Sequence, residues 1–389
     1  MKKLLIAFVL LCSFGKKAFC FTPSDTSKRS TVAIFLPLYL DSAFDATNNY
    51  RYGKQFPKFL NPGLEFYEGV QLAIDSMRKM NLALDVQIYD TRSNKSIYEI
   101  TQLPEFNDVD LIIGHTSSTE MKMLAEIALR KKIPFINPNF PNDGNITNNP
   151  YFVLLNSTLR THCMGIYKFL QKNYGTSPVI VFRQKGEQED RLKGYFDETA
   201  ANTASVKLKM KYVNLEEGFT ADQLLPYLDS TRQSICIAGS LDQDFATNLC
   251  TQLATLSKTY PLQIMGMPTW DGMKDLEKFN LDIFYSTPFY NAKVDPVSTN
   301  INNYFKTNFY SRPSDMVFRG YETFMHFGLL LNAYGKNIDS NIGDKKFKVF
   351  TDFDIQPTIL NLQTQQLEYF ENHKLYFVKK TGGVVKAVY

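Results

Sequence analysis

Strand-like and helix-like segments alternate between residues 31 and 267 with a regularity that leaves few architectures open. "TVAIFLPLYL" (31–40) is an almost unbroken apolar run, as a strand covered on both faces requires. "GLEFYEGVQLAIDSMRKM" (63–80) follows, with Phe66, Val70, Ala73, Ile74 and Met77 on one helical stripe. A strand at 84–90, a short helix at 96–106 broken at Pro104, the strand "DVDLIIG" (108–114), a helix at 119–132 and the strand "IPFINPN" complete a first series. After residue 156 the pattern restarts, with helices at 162–175, 190–202, 221–231 and 243–258 between strands at 178–183, 206–213, 234–240 and 262–267. Pro226 inside the third of these helices predicts a bend or a shortening. Parallel neighbours need crossover connections, so this order implies α/β architecture with two doubly wound, Rossmann-like lobes.

The last third of the chain holds too few elements to bury a core of its own. A strand at 284–291, helices at 298–309 and 319–334, and β-like alternation from 354 with a turn at Gly382-Gly383 are expected to complete the two lobes. The expected partition is 31–155 plus 287–350 for the first lobe and 156–286 plus 351–389 for the second. The chain then crosses between lobes several times, which makes a hinge.

The opening "MKKLLIAFVLLCSFGKKAFCF" has two lysines before an apolar run too short to span a bilayer, the pattern of a secretory signal peptide over residues 1–20. Cleavage is placed near Ala18–Cys20; lipidation at Cys20 is the less favoured alternative, because bulky Phe19 precedes it. Removing Lys2, Lys3, Lys16 and Lys17 leaves 39 basic against 39 acidic residues, so the pI of 8.5 mostly describes the leader. Nothing in that balance favours nucleic acid or an anionic membrane, and no second apolar stretch reaches the roughly 20 residues of a membrane helix. The expected location is extracytoplasmic, in a periplasm. Cys163, Cys236 and Cys250 remain, an odd number; Cys163 and Cys236 suit small buried hydrophobes, with a Cys236–Cys250 bridge as the bolder alternative.

Enzyme signatures are missing: there is no G-x-G-x-x-G, P-loop, G-x-S-x-G or H-E-x-x-H, and the four histidines have no metal-site spacing. No cofactor is implied. His115 beside Ser117 invites a base–nucleophile pairing, but no carboxylate orients it. "DLIIGHTSSTEM" (110–121) instead reads as a strand end, Gly114 for a sharp exit, and a helix start with Ser117 and Glu120 in a capping box. Free amides flanked by the hydroxyls of Thr116, Ser117 and Ser118 make a place for a carboxylate, outside the carboxyl end of a strand where open α/β sheets bind ligands. On local sequence alone, a plain helix start explains the stretch equally well.

Four segments in chain order resemble the type I periplasmic binding proteins, in the branch that takes branched-chain amino acids and related solutes. They are "GLEFYEGVQLAIDSM", matching a G-x-x-x-x-x-G-x-x-L-A pattern in which Gly69 lets the helix approach the sheet, "LIIGHTSSTEM", "IPFINPN" and the crossover "FYSTPFY". The resemblance spans the mature chain. It implies two lobes joined by three crossovers, a small amino-acid-like ligand trapped between them, an ABC permease or a sensor as partner, and no enzymatic activity. It places Thr116, Ser117 and Ser118 on the ligand's carboxylate. The loop after strand four reads "NPNFPND", with Asn139 and Phe140 where the family carries small hydroxyls, a departure that argues against an ordinary amino acid. The nearest match to the family's late acidic residue makes Asp271 the counter-ion and Trp270, the single tryptophan, a stacking wall; core packing is the alternative for Trp270. Tyr39, just beyond strand one, is a lesser contact. The family's tyrosine is missing from "FRQKGEQEDR", where Arg183 stands to read an acidic group, or else is a solvated loop arginine. A second functional class keeps the fold and drops the ligand: an envelope protein that regulates a cell-wall synthase through protein contacts.

Overall fold

A computed structural model describes residues 29–389 except 274–275, 361–362, 382–383 and 389. The signal peptide, Cys20 and the Gly382-Gly383 turn lie outside the described residues. Two seven-stranded sheets account for the strands. The first half of the chain gives β1 (Thr31–Leu36), β2 (Asp85–Asp90), β3 (Val109–Gly114), β4 (Phe135–Asn137) and β5 (Phe152–Leu154). With them come helices α1 (Leu40–Ala43), α2 (Asn61–Lys79), α3 (Ile97–Thr101) and α4 (Ser118–Lys131).

The second series gives α5 (Leu159–Tyr174), β6 (Val179–Arg183), α6 (Glu187–Ala201), β7 (Met210–Asn214), β8 (Ser234–Ala238), α7 (Gln243–Leu256), β9 (Leu262–Met265) and β10 (Ile283–Thr287). The chain then returns to the first lobe as α8 (Pro296–Asn308), α9 (Asp315–Tyr334), β11 (Ile355–Thr358) and β12 (Tyr369–Asn372), and ends in the second as β13 (Tyr376–Thr381) and β14 (Val384–Val388).

The sheet orders are β11-β12-β5-β4-β3-β1-β2 and β14-β13-β10-β9-β8-β6-β7. Each has a parallel doubly wound core whose order reverses beside its first strand, finished by an antiparallel hairpin. β1 is buried along its whole length, which explains its unbroken apolar run. Helices cover both faces of each sheet: the first lobe buries α2 and α9 on one side and α4 on the other.

Two expectations need correcting. Residues 221–231 form only two short 3-10 turns, Ala221–Gln223 and Leu225–Tyr227, because Pro226 denies the next helical turn its N–H. Residues 351–389 do not go together to the second lobe. β11 and β12 extend the first sheet, with Phe370 in register with Val153, and only β13 and β14 join the second. Alternation announces a hairpin but carries no mark of which sheet edge will accept it.

The lobes are therefore joined three times, between β5 and α5, β10 and α8, and β12 and β13. The first and third crossovers are bonded together: the Ser157 hydroxyl donates to the Asn372 carbonyl at 2.6 Å and the Thr158 amide to Glu371 Oε1 at 2.7 Å. The Asn372 side chain, fully buried, donates to the Leu155 carbonyl (3.2 Å) and accepts from the Asp354 and Lys374 amides (3.0 and 3.1 Å). Asn372→Ala leaves those backbone groups unpaired and is expected to cost about 2–3 kcal/mol. A urea titration of the variant checks this, and an unchanged midpoint refutes it.

Cys163, Cys236 and Cys250 are free and buried, and burial pushes the thiols of Cys236 and Cys250 up to about 12. The Cys236–Cys250 bridge is not formed in this structure. Among the described residues no helix is long and apolar enough to cross a membrane.

Candidate functional site

A cleft of about 1230 Å³ opens between the lobes. The first lobe contributes Ser118, Lys122, residues 141–145 and Arg319; the second contributes Arg160, His162, Arg191, Glu198 and Asp271. The crossovers add Ser157, Pro288 and His373 to its lining. A second cavity of about 460 Å³ lies behind the β10–α8 crossover, and Asp271, Thr287, Phe289 and Arg319 line both.

The helix start at Ser117 forms the expected capping box. Glu120 Oε2 accepts from the Ser117 amide at 2.7 Å and from its hydroxyl at 2.6 Å, and Arg92 closes on the same carboxylate at 3.5 Å. Thr116 is buried and clamped by the loop after β4. Its amide donates to Asn139 Oδ1 (3.0 Å), its carbonyl accepts from Asn139 Nδ2 (3.1 Å), and its hydroxyl accepts from Asn137 Nδ2 (3.0 Å). The polar groups expected to hold a carboxylate are thus largely taken up inside the lobe, and of the three hydroxyl residues only Ser118 lines the cleft. Gly114 is needed for space: a Cβ there would sit 2.8 Å from the Phe135 ring.

Asn139 is the clamp on Thr116, and Phe140 packs against the α4-side core. Tyr39, in a left-handed conformation, stacks edge-on against Phe59 at 5.0 Å beneath Arg92. Arg183 is neither solvated nor facing the cleft; it is buried, paired to Asp190, and donates Nε to the Gln184 carbonyl at 3.0 Å. Trp270 is corrected from wall to core. It is 1% exposed within the second lobe's hydrophobic cluster, against Gly266, where a Cβ would come within 2.2 Å of the indole. The turn at Pro268–Gly272 points the indole inward and leaves Asp271 on the cleft side. Asp271 as a residue opens to solvent, while crowding around its carboxyl raises its pKa.

Arg319 is the residue that sequence reasoning missed. It sits in the second turn of α9, with its guanidinium carbon 3.8 Å above the centre of the Phe289 ring. A cation inside an amphipathic helix reads as surface. The available signal was Ser314, which caps α9 by accepting from the Met316 amide, starts the helix before Arg319 and so places Arg319 one turn from Glu322.

Burial sets the titration of two histidines, His162 lining the cleft and His115 inside the first lobe. His162, bonded through Nδ1 to Ser286 Oγ at 2.8 Å, is pulled down to about 3, and His115, against the Phe66 ring, to about 4. In the unfolded chain each takes up a proton near pH 6.5. Folded-state values below the unfolded one mean that stability is full above pH 6.5 and is lost as pH falls towards 4. By pH 4.5 each histidine is expected to cost on the order of 2 kcal/mol. Glu322, whose pKa burial raises, acts in the opposite sense and offsets part of this. Urea midpoints at pH 7 and 4.5, compared between the parent chain and His162→Gln, isolate one histidine from this offset. The variant is expected to lose less stability on acidification, and an equal loss in both rules out a buried neutral imidazole at His162.

No protein-family model matches the sequence, and no curated protein matches it. Solved structures do match. A Rhodospirillum rubrum protein assigned to branched-chain amino acid ABC transport is 12% identical over 93% of this chain and 100% of its own, with a TM-score of 0.66. A branched-chain amino acid ABC transporter periplasmic ligand-binding protein from Burkholderia xenovorans is 13% identical over 93% of this chain and 95% of its own, at 0.61. Haemophilus influenzae LpoA is 14% identical over 94% of this chain and 60% of its own, at 0.57. These likenesses show that the chain has the type I periplasmic binding protein fold, two α/β lobes about a three-stranded connection.

Proposed function

We propose, with the two-lobed binding-protein fold as premise, that the chain is an extracytoplasmic solute-binding protein, not an enzyme. It captures a small polar, amino-acid-like ligand in the interlobe cleft and delivers it to an ABC permease or a sensor. The observation that carries this reading is the cleft itself, open between the lobes and lined by charged and hydroxyl side chains from both. A ligand touching both walls stabilises the closed arrangement because only there are all its contacts made at once. The partition follows the sheets: 31–155 with 296–372 form one lobe, and 159–287 with 376–388 the other.

In this reading Asp271 and Ser118, which line the cleft, touch the ligand from its two walls. Thr116, Ser117 and Asn139 support it by fixing the helix start, and the hinge bonds of Glu371 and Asn372 set the pivot. The deciding experiment is native mass spectrometry of the mature protein purified from its secreting cell. A bound small molecule, released on denaturation, is the expected result.

One observation favours the second reading, a ligand-free envelope regulator of cell-wall synthesis. The helix tip spends its polar groups on its own side chains, as a cleft that had lost its ligand would. A protein that carries no small molecule and is not stabilised by any of the free amino acids would support that reading over the first.

A further inference from the structure

Arg319 is a half-buried cation whose donors have no protein partner. Its Nε is buried without a hydrogen bond, and among the described residues it forms neither a hydrogen bond nor an ion pair. The other cleft arginines are matched: Arg160 with Glu198 and Arg191 with Glu187. Asp271, Asp315 and Glu322 act on Arg319 through space, but Asp315 holds Lys293 at 2.7 Å and Glu322 accepts the Phe350 and Thr351 amides. A guanidinium offers five N–H groups in a planar fork, and leaving them unpaired away from water is costly. The Phe289 ring covers one face of that plane, and the rim of the fork remains for a partner.

The position of Arg319 matters as much as its lack of partners. α9 packs in the core of the first lobe, whereas Asp271 belongs to the second, and both side chains line the two cavities where they meet. A molecule touching both would bridge the lobes. We propose that Arg319 is the oxyanion anchor of the cleft, seating a carboxylate of the ligand in bidentate fashion on the first lobe, while Asp271 faces a cationic or hydrogen-bond-donating end of the same ligand from the second. This rests on the solute-binding reading and relocates the anion site from the helix tip at Ser117 to α9. Arg is suited to the task because its fork matches a carboxylate, which a lysine ammonium does not. Asp271 repels a second anion, so the ligand's other end is a cation or a hydrogen-bond donor and the ligand is not a short dicarboxylate.

The test uses the full mature chain labelled with nitrogen-15 and follows the arginine Nε–Hε signals by NMR. Acetate serves as the probe carboxylate and acetamide as its uncharged match. The signal that disappears in Arg319→Gln is expected to move saturably with acetate and not with acetamide, and Arg319→Lys is expected to weaken acetate binding by about tenfold or more. The circular dichroism of both variants verifies that they fold. An Arg319 signal indifferent to acetate, or equally responsive to acetamide, overturns the assignment. Native mass spectrometry separates the two levels. A co-purified molecule that Arg319→Gln retains undiminished removes the anchor and leaves solute capture standing. Acetate binding at Arg319 in a protein that carries no solute supports the anchor and counts against solute capture.

Discussion

Placing a single methyl group on Gly69 or Gly320 is expected to destabilise the first lobe by about 3 kcal/mol, and leucine at either position to prevent folding. The two glycines lie where α2 and α9 cross. A Cβ on Gly69 would sit 2.0 Å from the Val317 carbonyl oxygen, and one on Gly320 would sit 2.2 Å from the Phe66 carbonyl oxygen. Both obstacles are backbone, so no side chain can swing aside; the helices must separate, and the surrounding core of Phe66, Val70, Phe324 and Phe327 opens with them. Once they have separated, the second methyl meets less resistance. The double alanine variant is therefore expected to cost less than the sum of the singles. Urea unfolding of the three variants measures this, and strict additivity would mean the helices do not move as one. Because Arg319 precedes Gly320, the shift also displaces the guanidinium from Phe289. This pairing revises the role of Gly69: it brings α2 to another helix and not to the sheet.

Trp270→Ala is expected to cost about 3–5 kcal/mol, the range for emptying a fully buried aromatic site. Trp270→Phe is a sharper test. The indole Nε1 is buried with no hydrogen-bond partner, so phenylalanine loses some packing but also discards an unsatisfied donor. Its net cost should be about 1 kcal/mol or less, with ligand retention in the cleft unchanged. If Trp270→Phe instead keeps its stability and loses the bound molecule, the residue is a ligand wall after all. The two substitutions together separate packing from recognition, which neither does alone.

How much of this was legible from sequence depends on the range of the forces concerned. The stripe Phe66, Val70, Ala73 and Met77 and the first six residues of the run 31–40 record burial directly, whereas the last four leave the strand, which ends at Leu36, and Leu40 is exposed at the start of α1. The Ser117–Glu120 box is a bond between residues three apart and was equally readable. The partners of Thr116 were not, because Asn137 and Asn139 reach it across a strand boundary and compete with any ligand for its groups. Trp270 and Asp271 are neighbours in sequence, yet a 3-10 turn gives one to the core and the other to the cleft. Arg319 gains its meaning only from Phe289 and Asp271, which the fold brings in from separate segments.

The third crossover, at residues 373–375, has a practical corollary. Since the chain passes from β12 in one sheet to β13 in the other at that point, both sheets receive strands from the C-terminal segment. No contiguous stretch of the gene encodes either lobe. A lobe produced in isolation would have to be spliced from two separated fragments, and a chain stopped before residue 369 would strip an inner strand from each sheet at once.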